Sequence, residues 1–182
     1  MELTSRESAL IVPIRLPAAL AEIRLRETRD GPAGVPGHVT LLYPFAPAAA
    51  IDRRVIAEVT AVIAAAPMFD ARFQEVRRWE PGGGASEGVV WLEPEPSAPF
   101  NELTRLLFAA FPAYPPYGGM HDETIAHVSL AAIDRTHQDA VEAEARRWLP
   151  FRRRVRVATL IVEGEDGRWR TRRRFRLGEA AR

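Results

Sequence analysis

His38-Val39-Thr40-Leu41-Leu42-Tyr43-Pro44-Phe45, answered later in the chain by His127-Val128-Ser129-Leu130, decides how this sequence is read. In an extended strand, residues i and i+2 project from the same face, about 6.6 Å apart. Each segment therefore sets an imidazole and a hydroxyl on one face, while Val and Leu occupy the other and can enter a core. A polar pair on a rigid strand whose back is buried has a fixed geometry, as a reactive site requires. Ser and Thr together number 14 of 182 residues and apolar residues make up 47%. A given histidine then meets the pattern His–apolar–Ser/Thr–apolar roughly 2% of the time, and two of four histidines do so about 0.2% of the time.

Working outward, Asp30-Gly-Pro-Ala-Gly-Val-Pro-Gly37 is a loop that delivers the chain to His38. Before it, residues 8–15 read as a buried strand and Pro17 opens a helix to about Arg26, with Leu20, Ile23 and Leu25 as its apolar positions. After it, Asp52 is the expected N-cap of a helix to about Ala66, with Val55, Ile56, Val59, Val62 and Ile63 on one face. Residues 69–79 and 88–92 read as an antiparallel pair joined by a turn at 81–85. Ser97 and Pro99 start a helix through Phe111, on which Phe100, Leu103, Leu107 and Phe111 form a stripe. A Pro-, Tyr- and Gly-rich loop (112–119) leads towards the strand 127–133, and Thr136 is the expected cap of a helix to about Leu149. The end reads as a hairpin, 152–162 and 168–177, with a turn at 164–167. The sum is an α+β chain with largely antiparallel sheets. Two halves of similar element order suggest duplication and a pseudo-two-fold arrangement.

Composition narrows the chemistry. There is no cysteine, which excludes disulfides, thiolate nucleophiles and Cys-based metal centres. There is no lysine either: all 25 basic residues are arginine, so a lysyl–nucleotide intermediate, a Schiff base and a Walker-type phosphate loop are excluded. No run approaches the roughly 20 apolar residues of a membrane helix, and the N-terminus lacks a secretory pattern, so the expectation is a cytoplasmic protein with no membrane contact. The net charge of +1 is unevenly spread: residues 151–182 carry eleven Arg against four acids, a net of +7. A basic end on an acidic body suits contact with polyanions, and solvated surface arginines fit it too.

With their pairing and context, the two motifs resemble those of the 2H phosphoesterase superfamily, and within it the branch called 2′-5′ RNA ligase-like proteins or RNA 2′,3′-cyclic phosphodiesterases. The resemblance implies a bilobed duplicated fold with two mostly antiparallel sheets facing a central cleft and helices outside, residues 1–182 forming one domain of two pseudo-symmetric lobes. It implies that His38 and His127 are catalytic and that Thr40 and Ser129 hold phosphate oxygens. It also implies metal-independent chemistry without a cofactor on an RNA end or nucleotide bearing a cyclic phosphate, by a monomer, with 2′-5′ ligation as an accompanying reverse reaction. Ser stands where the second motif of the family has Thr, and the proline often found before the second histidine is missing from Asp122-Glu-Thr-Ile-Ala126. A small cyclic nucleotide such as ADP-ribose 1″,2″-cyclic phosphate, a 2′-5′ oligonucleotide, and a non-catalytic RNA-binding module are the alternatives.

Chemistry alone leads to a compatible reading. Opening a cyclic phosphodiester needs a base for water and an acid for the departing ribose oxygen, and histidine, with a pKa near 6.5, serves as either. Hydroxyl donors at non-bridging oxygens contribute a few kcal/mol. Among the aromatics, Tyr117 is a candidate to stack a base, as are Tyr43, Phe45, Tyr114 and Trp79, although Tyr43 shares the face of Val39 and Leu41 and so is expected in the core. Arg168, Arg170, Arg172, Arg174 and Arg176 fall on one face of the last strand; Arg170 and Arg172 are candidates to contact a phosphate chain, and a solvated edge strand explains them equally. His121 with Asp122, Glu123 and His127 matches no specific metal-ligand spacing.

Overall fold

Local sequence choices are visible in every element of the computed structural model, which describes residues 6–82, 85–119 and 124–179. The strands are β1 (Ser8–Pro13), β2 (His38–Leu42), β3 (Phe69–Trp79), β4 (Gly88–Glu95), β5 (Val128–Ile133), β6 (Phe151–Val155), β7 (Val157–Glu163) and β8 (Trp169–Arg176). The helices are α1 (Ala18–Glu27), α2 (Arg53–Ala65), α3 (Ala98–Ala110) and α4 (Arg135–Arg146). Asp52 caps α2 as its position suggests, accepting the Val55 N–H at 2.9 Å. At α4 the cap is Asp134, which accepts the Thr136 N–H at 2.9 Å, so the helix begins two residues earlier than a Thr136 cap implies. The triad of His121, Asp122 and Glu123 lies outside the described residues.

The chain forms two four-stranded antiparallel sheets, in the orders β2-β1-β7-β8 and β5-β4-β3-β6. Each motif strand is thus an edge strand of its sheet, and β2 and β5 approach one another directly. The run β–α–β–α–β occurs twice, as β1 to β3 and as β4 to β6–β7. In each case the third strand pairs with the first strand of the other run: β3 with β4, and β7 with β1. The stretch expected as one strand over 152–162 is two, because Phe151–Val155 pairs in one sheet and Val157–Glu163 in the other, with Arg156 at the changeover. No Gly or Pro marks that break; what imposes it is the pairing available on either side.

Both sheets and all four helices contribute to one apolar core, including Leu10, Leu42 and Leu160 from the first sheet, Phe73, Leu92 and Leu130 from the second, and Ile23, Ile63, Phe100 and Val141 from the helices. On α1 the buried stripe is Leu20, Ile23 and Arg24, whereas Leu25 is 57% exposed. A smaller cluster of Ala9, Ile11, Val35 and Ile161 lies on the opposite face of the first sheet, with Tyr43 and Trp169 against it. None of the described helices is long and apolar enough to cross a membrane.

Phe100 is fully buried at the centre of the α3 stripe, with its ring edge-on to Phe69 at 4.9 Å. Phe100→Ala is expected to cost about 3–5 kcal/mol of stability through lost burial and the cavity left behind. Urea unfolding with an unchanged m-value measures it; a cost under about 1 kcal/mol would show that the core does not depend on this stripe.

Candidate active site

The two motif strands share a device that their sequences hide. Along β1–β2 the register passes from Leu10↔Leu42 to Ile11↔Thr40, so Leu41 is an extra residue. Along β4–β5 it passes from Val90↔Ala131 to Trp91↔Ser129, so Leu130 is extra in the same way. A β-bulge directly after each hydroxyl residue resets the alternation. Leu41 with Leu42, and Leu130 with Ala131, are buried as consecutive pairs. In β2 the reset turns Tyr43 to the face of His38 and Thr40. Tyr43 therefore lines the cleft instead of the core, its hydroxyl donating to Glu7 at 2.6 Å.

His38, Thr40, His127, Ser129 and Tyr117 line one cavity of about 300 Å³, floored by Ala9, Ile11, Val35 and Ile161 and completed by Tyr43, Trp169 and Asp30. Gly37 allows the approach to this site: a Cβ there would lie 2.8 Å from the Leu16 side chain and 3.0 Å from the Ile14 carbonyl. The imidazoles are held alike. His38 Nδ1 is 2.8 Å from the Pro36 carbonyl and His127 Nδ1 is 2.7 Å from the Ile125 carbonyl, each two residues upstream. A carbonyl only accepts, so Nδ1 carries the hydrogen in both rings and Nε2 is left to exchange protons. Thr40 Oγ1 lies 3.1 Å from His38 Nε2. Tyr117, in left-handed backbone (φ 52°), interacts with Thr40 and lies nearly parallel to His127, ring centres 6.4 Å apart. Trp79 meets His127 edge-on at 4.7 Å, with Trp91 behind it at 5.9 Å.

These surroundings set the protonation states. Burial, then the positive charge of Arg24, pushes His38 down to about 4, against the opposing effects of the Pro36 carbonyl and Asp30. Burial among the aromatic rings also lowers His127, with the Ile125 carbonyl acting in the other direction. Burial pushes the Tyr117 phenol up, opposed by its hydrogen bond with Thr40.

Other candidates lie elsewhere. Arg170 forks onto Asp166 at 2.8 and 2.6 Å in the β7–β8 turn, and Arg172 donates to the carbonyls of Ala48 and Ile51 at 2.8 Å each. Neither lines the cleft; from that hairpin Ile161 and Trp169 do. A bulge at Arg172, where Leu160↔Arg173 is followed by Ile161↔Thr171, breaks the single arginine face expected from alternation. A wider groove of about 1000 Å³ between α2 and β8 carries Arg172 and Arg173 but no histidine. Phe45 and Tyr114 pack on each other at 5.4 Å. Missed in the sequence were Asp30, Trp169 and the buried Arg24. The signal for Arg24 was its place on the helical stripe of Leu20 and Ile23, where a charge is out of keeping.

A family model described as the 2′-5′ RNA ligase superfamily matches residues 12–167. Among solved structures, TT0787 of Thermus thermophilus is 20% identical with a TM-score of 0.62, the alignment covering 96% of this chain and 100% of that one. LigT of E. coli, complexed with 3′-AMP, is 16% identical with a TM-score of 0.53, covering 94% and 98%. Usb1 of Kluyveromyces marxianus is 14% identical with a TM-score of 0.52, covering 93% and 98%. Likenesses at these identities concern the fold. No curated protein sequence matches the chain.

Because both imidazoles are held below the usual 6.5, with His38 at about 4, the unfolded chain binds more protons than the folded one between those values. Their contribution to stability therefore rises with pH across that window and is lost on acidification. In unfolding experiments from about pH 6.5 down to 4, His38→Gln is expected to lose less stability than the wild type. Parallel losses in the two proteins would assign the acid sensitivity to other groups.

Proposed function

The chain belongs to the 2′-5′ RNA ligase superfamily of 2H phosphoesterases, and we propose that its cleft opens a 2′,3′-cyclic phosphate on an RNA end or nucleotide. The observation that carries this reading is the pair of imidazoles with Nδ1 tied to a backbone carbonyl and Nε2 turned to the cavity, where His38 Nε2 meets the Thr40 hydroxyl and Ser129 shares the lining with His127. The solved relatives LigT with 3′-AMP and Usb1 with uridine monophosphate add that nucleotides occupy proteins of this fold. A cavity of about 300 Å³ suits the terminal nucleotide unit and leaves the rest of a strand outside. We read the chain as one domain of two pseudo-symmetric lobes; the matching bulges after Thr40 and Ser129 support an origin by duplication.

In the forward reaction His38 Nε2 takes a proton from water, whose oxygen bonds to phosphorus. The phosphorus–ribose oxygen bond breaks, and the departing oxygen takes the proton from His127 Nε2. One water is consumed, and proton exchange with solvent restores both rings. Thr40 and Ser129 donate to the non-bridging oxygens. His38 is the base because burial and Arg24 depress it to about 4, while no such cation acts on His127. A base that deprotonates below its partner acid makes the productive pair the dominant form between the two values. Reverse ligation exchanges the roles.

Two measurements test this. With EDTA present, the protein is expected to open a short RNA 2′,3′-cyclic phosphate, and His38→Ala and His127→Ala each to lose about 10²- to 10⁴-fold in rate. Undiminished turnover in either variant would remove the two-histidine chemistry. The profile of kcat/KM against pH should be a bell on the acid side of 6.5, rising near 4 with His38 and falling with His127. A profile flat from pH 5 to 9, a span that includes the ordinary histidine value, is incompatible with two titrating imidazoles.

A further inference from the structure

Arg24 is 3% exposed, on the buried stripe of α1, and its guanidinium joins two parts of the chain that both lead into the cleft. Nη1 donates to the backbone carbonyl of Ser129, 2.7 Å away and 105 residues on. Nη2 pairs with the carboxylate of Asp30, which lines the cavity. The loop between α1 and β2 is wound on the same residue. The Arg24 carbonyl accepts the N–H of Thr28 at 3.1 Å and its hydroxyl at 2.7 Å, and that hydroxyl accepts the Gly31 N–H at 3.0 Å. Val35 N–H then closes on the Asp30 carbonyl at 3.0 Å, one residue before Pro36, whose carbonyl holds His38. A buried ion pair is a weak source of stability, because desolvation offsets most of the attraction and apolar replacements are often neutral. Its value here is geometric and electrostatic.

We infer that Arg24 and Asp30 are a positioning pair for the proposed reaction, fixing the loop before His38 against the strand of Ser129 and setting the charge balance at His38. This rests on the assignment of His38 as the base. The groups facing His38 are Arg24 and Asp30 from α1 and its loop, His127 from the strand region opposite, and the uncharged hydroxyls of Thr40 and Tyr117. Arg24 opposes an imidazolium there and Asp30 favours one. Burial alone would push the Asp30 carboxyl up, yet the guanidinium charge and hydrogen bond hold it below the usual range, so it stays ionised beside the histidine. When a proton reaches His38 during turnover, Asp30 stabilises it and Arg24 limits how long it stays.

The two members of the pair act on His38 with opposite sign, which a purely structural role would not produce. The test is an NMR titration of the His38 ring in the full chain, free of substrate, for wild type, Arg24→Met, Asp30→Asn, Arg24→Lys and the double variant Arg24→Met/Asp30→Asn. Expected are a higher midpoint in Arg24→Met, a lower one in Asp30→Asn, and near restoration in the double variant. Arg24→Lys keeps the charge, so its midpoint stays with the wild type while kcat falls, by up to about 100-fold, from the lost grip on Ser129. Should Arg24→Met fail to fold, Asp30→Asn decides, because its site is partly exposed and its sign is fixed. An unmoved or raised His38 midpoint in Asp30→Asn overturns the pair. Opposite shifts in a protein that opens no cyclic phosphate would sustain the pair and overturn the substrate reading, whereas normal turnover with no shifts would do the reverse.

Discussion

Two hydrogen bonds, from His38 Nδ1 to the Pro36 carbonyl and from His127 Nδ1 to the Ile125 carbonyl, decide what the two imidazoles can do. Each spends one ring nitrogen on the backbone immediately before the strand and points the other into the cavity. Everything around them serves that orientation. The edge position of β2 and β5 leaves the preceding loops free to curl back and present a carbonyl. The Val and Leu residues alternating with the polar pair anchor the strand from behind, so the rings cannot swing without opening the core. The bulges end the polar face after one hydroxyl and return the chain to the core with two buried residues in succession. The same geometry explains how little chemistry the cleft needs: a ring with a fixed tautomer, a neighbouring hydroxyl, and a second copy of both.

Charge is arranged with comparable economy. The arginines of the C-terminal hairpin do not line the cleft; Arg170 is engaged with Asp166, Arg172 with the carbonyls of Ala48 and Ile51, and Arg176 with Glu179. Among the described residues the one arginine taken into the interior is Arg24, from the first helix, far from the hairpin in the chain. In the proposed reaction the cleft thus takes its positive potential from a fixed, partnered guanidinium and from a His127 imidazolium charged at the outset, while His38 charges only as it accepts its proton. That leaves hydroxyl and N–H donors to meet the anion directly.

The sequence made the essentials of the site readable because they depend on period-two alternation over three residues. His38, Thr40, His127 and Ser129 needed no long-range information to be placed together in pairs. The helices were equally legible where stripe and cap agreed, as at Asp52 and along Phe100, Leu103 and Leu107. What escaped depends on partners distant in the chain. Tyr43 was misplaced because alternation assumes an unbroken ladder, and a bulge is a property of two strands. The division of 152–162 at Arg156 follows from which sheet has a free neighbour on each side. Arg24 falls on the stripe of Leu20 and Ile23, but what a charge does there is legible only once Ser129 and Asp30 are brought to it. Leu25 was counted in its place on hydrophobicity alone, and one position on a helix is a turn of about 100°.

The exchange of third strands between the two runs has a consequence for how the chain acquires its shape during synthesis. β3, β4, β5 and β6 lie within residues 69–155, so the second sheet can assemble as the polypeptide emerges. β1 is made before the other described strands, yet it is a central strand whose second neighbour is β7, with Ser8 paired to Val162. Until β7 has emerged, the first sheet consists of the paired β1 and β2, joined through α1, with an open, strongly apolar edge. Such an edge is prone to pair with the wrong strand. Contacts of that sequence separation also slow folding, because a long loop must close before any pairing energy is gained. The cleft between the two motif strands therefore completes late, and a ribosome-bound fragment that stops short of β7 holds both histidines without the sheet that aligns them.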